Sequence, residues 1–140
     1  PHTTRRQRQM CIRDSHHTAP INSIFALHEA LKLACDETLE NLWKRHSDAH
    51  FRLKEGLDLM SFDFVVQKEY RLPQMNSIHI PDGYDDLEIR TKLLNDFNLE
   101  IGAGLGKFSG KIWRIGLMGH NARKDSVDYC LDALKHVLNK

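Results

Sequence analysis

From Ile21 onward, the apolar residues Ile24, Leu27, Leu31 and Ala34 recur at helical spacing. The pattern resumes with Leu39, Leu42, Trp43, Ala49, Leu53 and Leu57. This predicts one long helix or two successive ones, with a break near Asp36 and a stop at Gly56. "FDFVV" (62–66) reads as a short strand, and residues 75–80 of "RLPQMNSIHIPDG" as another, closed by the turn signal Pro81-Asp82-Gly83. Asp85 or Asp86 caps a helix with Leu87, Leu93, Leu94 and Phe97 inward. "LEIGA" (99–103) and "KIWRIGLM" (111–118) are strands joined by a glycine-rich loop. A last helix, from about Asp125 to Leu138, turns Val127, Cys130, Leu131, Leu134, Val137 and Leu138 to the core. The order α(α)ββαββα predicts an α+β domain, with a small antiparallel or mixed sheet and helices on one face.

Residues 1–15 do not fit this pattern. "RRQRQMCIRDS" (5–15) has no apolar period, cap or turn chemistry, and it resembles translated sequencing-adaptor sequence over all eleven residues. Residues 1–15 are therefore read as non-native, and 16–140 as the protein proper. The net charge of +1 depends on that segment: without Arg5, Arg6, Arg8, Arg13 and Asp14 the remainder carries −2. A body without basic character, and without a nucleic-acid motif, predicts no nucleic-acid partner. No apolar run approaches the roughly 18 residues of a membrane span. The three cysteines, Cys11, Cys35 and Cys130, have neither pairing nor metal-ligand spacing, which fits a reducing, cytoplasmic setting.

Most candidate chemistry fails on spacing. "IGAGLGKFSGK" (101–111) has neither the P-loop offsets nor the G-x-G-x-x-G of a dinucleotide turn. Gly102, Gly104 and Gly106 are left either as a loop where backbone approaches a ligand or as a bulged hairpin connection. His46 and His50 are an i,i+4 pair without a third ligand and with solvated neighbours, so no metal is expected. Arg114 stands apart. Strand alternation puts Trp113, Ile115 and Leu117 on one face and Ile112, Arg114 and Gly116 on the other. An arginine in an apolar strand must find an anion or reach water, and its planar fork suits a carboxylate or phosphate. The bland alternative is an edge-strand arginine paired to a structural glutamate or lying over the sheet. "HHTAP" (16–20) precedes a helix, where Thr18 either caps it or meets an anion.

Four separated stretches, "HHTAPINSIFALHEALKL", "RLPQMNSIHIP", "LEIGAGLG" and "GKIWRIGLMGHNA", resemble in order and spacing the class V aminotransferases. Within them, the alanine–glyoxylate and serine–pyruvate branch fits best. The resemblance covers essentially all of 16–140 and only the C-terminal part of the family's chain. It implies a fold type I enzyme using pyridoxal 5′-phosphate and working as a homodimer on amino acids and 2-oxo acids. It further implies that Arg114 holds the substrate carboxylate and that Thr18 reaches the cofactor phosphate of the neighbouring subunit. The family's Schiff-base lysine and its partner aspartate have no counterpart in this chain, so the chain alone is expected to be inactive. The family's aromatic residue before "HHT" is here Ser15. Leu117 leans toward the alanine–glyoxylate side; serine–glyoxylate relatives are expected to carry histidine there. The other readings are a non-catalytic module that binds amino or oxo acids or mediates association, and a serine–glyoxylate or cysteine-desulfurase-like relative.

Overall fold

The apolar period of residues 21–57 produces two helices, α1 (Ile21–Glu37) and α2 (Leu39–Leu59), with Thr38 between them at φ 69°. The predicted break near Asp36 thus falls at Thr38. The structure, a computed structural model, describes residues 19–139, and the candidates Ser15, His17 and Thr18 lie outside them. The chain divides into two compact units, one through Leu39 and one from Glu40. Among the described residues no helix is long and apolar enough to cross a membrane.

In the first unit, α1 buries none of its residues. Ile24, Phe25, Leu27 and Leu31 are each more than half exposed, on a helix whose apolar residues continue nearly all the way round. Such a helix in water promotes association. The chain by itself is expected to be poorly soluble or loosely folded, and a triple variant Ile24→Ser, Leu27→Ser, Leu31→Ser should shift it toward monomer in sedimentation velocity. A sharp cooperative melt from a monodisperse wild-type monomer would contradict this.

The second unit is built on a three-stranded antiparallel sheet of β1 (Met75–His79), β2 (Gly102–Ala103) and β3 (Ile112–Gly116), in the order β1-β3-β2. Helices α2, α3 (Asp86–Phe97) and α4 (Lys124–Leu138) place their apolar side chains in one cluster with Ile78, Trp113 and Ile115. This is the α+β arrangement expected, with the helices on one face. "FDFVV" is not a full strand. Phe64 forms an isolated bridge with Ile78, and the backbone bonds Val65 N–H to Ser77 O (3.0 Å) and His79 N–H to Asp63 O (2.8 Å) hold this stretch along the outer edge of β1.

Several local expectations are corrected. Helix α2 runs through Gly56 to Leu59, because that glycine is spent on packing: a Cβ there would lie 2.3 Å from Leu131 Cδ1. Ser61, at φ 60°, ends the helix instead, and Phe62 N–H closes back on Leu57 O. On α3, Ile89 and Leu93 are buried, whereas Leu87 and Leu94 are exposed. Asp85 is the N-cap, accepting from Glu88 N–H at 2.8 Å. Strand "LEIGA" shrinks to two residues.

His46 and His50 are both buried. His46 Nδ1 bonds Leu42 O and His50 Nδ1 bonds the buried Asn76 Oδ1, each at 2.7 Å, so the pair braces α2 internally and against β1. No metal-holding group of three His, Cys, Asp or Glu exists among the described residues. Burial pushes the Cys130 thiol up to about 12, leaving it a small apolar core residue.

Asp86 ties α3 to the sheet. Its Oδ1 accepts from Trp113 Nε1 (2.9 Å) and from Arg90 Nε (2.8 Å). The hydrogen bond from Arg90, helped by that from Trp113, holds the Asp86 carboxyl below the usual carboxylate range. A folded-state value below the unfolded one makes the contribution fully present above about pH 4 and lost as pH falls through the folded value. Thermal stability should therefore drop as pH is lowered below about 4. Asp86→Asn should flatten that acid limb in a series of melts while lowering stability at neutral pH.

Candidate functional site

The face of the sheet turned away from the helices carries Arg114 at its centre. Strand β3 alternates as predicted: Trp113, Ile115 and Leu117 are buried in the core cluster, Arg114 is half-buried and Gly116 exposed. Ile112, on Arg114's face, is also buried, under the hairpin loop that follows Gly104. In register, Arg114 stands between Ser77 of β1 and Gly102 of β2. The bonds Ile80 N–H to Lys111 O and Leu117 N–H to Gln74 O make 80/111 and 74/117 hydrogen-bonded pairs. By alternation Ser77/Arg114 is a non-hydrogen-bonded pair, the kind that brings side chains closest. Gly104 N–H to Ile112 O makes Gly102/Arg114 a hydrogen-bonded pair on the other side.

The Arg114 side chain leans over Gly102 and donates from Nε to Ala103 O at 2.8 Å. Among the described residues no carboxylate pairs with it, so of the bland alternative the structural glutamate is not what the fold uses, whereas the side chain does lie over the sheet, on its central strand rather than an edge. Gly102 makes the lean possible, since a Cβ there would lie 3.3 Å from Nη2 and 3.4 Å from Nε. A half-buried guanidinium with one neutral partner retains its charge and most of its donors for an incoming anion.

The other two glycines of the loop answer to the hairpin. A Cβ on Gly104 would stand 1.9 Å from Phe108 O, and Gly106 has φ 56°. Of the three, only Gly102 contacts Arg114. Lys107 and Lys111 are exposed, Lys107 Nζ lying 5.1 Å from the Phe108 ring centroid. Leu117 faces the core, away from Arg114. Arg45 of α2 donates to Gly119 O (2.7 Å) and Ala122 O (3.1 Å), fixing the turn that follows β3. Neither Arg45 nor Ser77 stood out in the sequence, because each acquires its place through a partner remote along the chain.

The fold matches the C-terminal part of class V aminotransferase structures. No family model matches the chain. Its homologues are alanine–glyoxylate aminotransferases and related class V aminotransferases. It is 39% identical over 124 residues to the mouse (Mus musculus) alanine–glyoxylate aminotransferase, covering 88% of this chain and 30% of that protein. It is 35% identical over 124 residues to the (S)-ureidoglycine–glyoxylate transaminase of Bacillus subtilis, covering 89% and 30%. The crystal structure of an alanine–glyoxylate aminotransferase from Nostoc sp. superposes with a TM-score of 0.86 at 49% identity, over 90% of this chain and 33% of that one. The chain thus spans about 30% of the length of the curated relatives it matches.

Class V aminotransferases use pyridoxal 5′-phosphate, which when bound supplies the electron sink for amino transfer. The described residues fit the substrate side of such a site and not the cofactor itself. Arg114 offers a fork for a carboxylate, while Lys107 and Lys111 sit on an exposed loop rather than in the apolar pocket that activates a nucleophilic lysine.

Proposed function

We propose that residues 16–140 are the small domain, with its leading segment, of a pyridoxal-phosphate-dependent transaminase. The intact enzyme moves an amino group from alanine or serine to glyoxylate or another 2-oxo acid. In this reading Arg114 binds the substrate α-carboxylate, Thr18 reaches the cofactor phosphate of a neighbouring subunit, and the enzyme is a cytoplasmic homodimer. The observation that carries it is the half-buried Arg114, without a carboxylate partner, on an open sheet face. A charged fork left available, where Arg52 and Arg90 are paired with aspartates, suits a planar anion, and a carboxylate is the group that amino and oxo acids share. The names of the relatives support glyoxylate as acceptor more firmly than any one donor: alanine and ureidoglycine differ, glyoxylate recurs.

The test is a chimera in which residues 19–140 replace the matching C-terminal part of the Nostoc enzyme. It should transaminate glyoxylate with alanine or serine, whereas the 140-residue chain alone should show no turnover with added pyridoxal phosphate. A well-folded, cofactor-loaded chimera that is inactive toward every small amino donor would reject the reading. So would turnover by the isolated chain that disappears with Arg114.

A further inference from the structure

We infer that Arg114 takes a carboxylate end-on, through Nη1 and Nη2 alone, because its Nε–H is latched to the Ala103 carbonyl. The inference rests on the carboxylate reading of Arg114 given above and adds the atoms and direction of capture. A guanidinium has two edges able to form a two-point bond with a carboxylate, one of Nε with an Nη and one of the two Nη groups. The 2.8 Å bond to Ala103 O uses Nε, which removes the first edge. Gly102 lies beneath the same side, and the Cβ it lacks would stand 3.3 Å from Nη2 and 3.4 Å from Nε, so the missing side chain lets the guanidinium settle close enough for the Nε bond.

The latch is a product of strand register. Gly104 N–H bonds Ile112 O, so Gly104/Ile112 and Gly102/Arg114 are the pairs that exchange ladder bonds, and Ala103 opposite Trp113 is not. Its carbonyl therefore points off β2, the last strand in the order β1-β3-β2, where the ladder has no further strand to use it. Arg114 Nε–H satisfies that edge acceptor. In return, the bond fixes the guanidinium, so that a carboxylate taken by Nη1 and Nη2 lies opposite Nε, coplanar with the guanidinium. Ala103 is thus a positioning residue acting through its backbone, and Gly102 one acting through the side chain it lacks.

Arginine-resolved NMR on the cofactor-loaded chimera described above, in which the chain has its large-domain partner, tests this without any substitution at Arg114 or its neighbours. A scalar coupling between Arg114 Nε and Ala103 carbonyl carbon is expected before any ligand is added. Titration with sodium acetate, against chloride at equal ionic strength, should shift the Nη–H resonances and slow their rotation while the Nε–Hε resonance and the coupling persist. Loss of the coupling with a shift at Hε would mean capture through the Nε edge, overturning the latch but leaving carboxylate binding intact. A missing coupling before acetate is added overturns the latch outright. A coupling that persists with no acetate-specific response at either Nη overturns the carboxylate reading, and end-on capture falls with it.

Discussion

Arg114→Gln in the chimeric enzyme is expected to lower kcat/KM for alanine by about thirtyfold to several thousandfold, the scale of removing one partner of a desolvated charge pair at roughly 2–5 kcal/mol. Arg114→Lys should fall between the two, since it keeps the charge but loses the planar fork. Cofactor loading, read from the visible absorbance, should be unchanged in both, because nothing places the guanidinium on the cofactor. A Gln variant within about threefold of wild type would remove Arg114 from substrate binding, because even one charge-assisted hydrogen bond is worth more than that.

Trp113→Ala is expected to cost about 3–5 kcal/mol of folding stability, enough to consume much of the roughly 5–15 kcal/mol that holds a domain together. Trp113 is fully buried, tilts against Phe62 at a centroid distance of 6.2 Å, and donates its indole N–H to Asp86. Truncation opens a cavity at the centre of the sheet and strips Asp86 of one of its two donors. Trp113→Phe should be much milder, losing the hydrogen bond and part of the volume. The readout is the urea midpoint followed by far-ultraviolet circular dichroism, because the chain has two tryptophans and the variants remove the buried one. An Ala variant with an unchanged midpoint would mean that the sheet does not carry the core as described.

The reach of the sequence is clearest on β3. Period-two alternation separated Trp113, Ile115 and Leu117 from Arg114, and the fold keeps that separation because one face is buried and the other open. Failures cluster where a contact remote along the chain decides. Gly56 reads as a helix stop by local propensity, yet Leu131 of α4 claims the space where its side chain would be. His46 and His50 sit among Lys44, Arg45 and Asp48, neighbours that read as solvated and give no sign of the burial that follows when β1 covers His50 and supplies Asn76 as its partner. On α3, Leu87 and Leu94 belong to the apolar stripe by composition. The face that packs is set instead by Ile89 and Leu93, with Asp86 held at the indole of Trp113. At the site, Arg114 was legible from its type and strand position. Its lean toward Ala103 was not, because that depends on which carbonyls the hairpin register leaves unused.

The contact between Gly56 and Leu131 has a consequence for how this family can drift. Two helices meet there at a distance that one bare backbone and one leucine share, so neither position is free to change alone. A lineage that acquires a side chain at 56 must shorten or reshape 131, and the order of the two steps matters: shrinking 131 first leaves a cavity that can be tolerated, whereas adding bulk at 56 first forces a clash. Such paired replacement should be visible as covariation between the two columns among homologues. It would run as small-with-large in one set of descendants and the reverse in another, with few sequences carrying bulk at both.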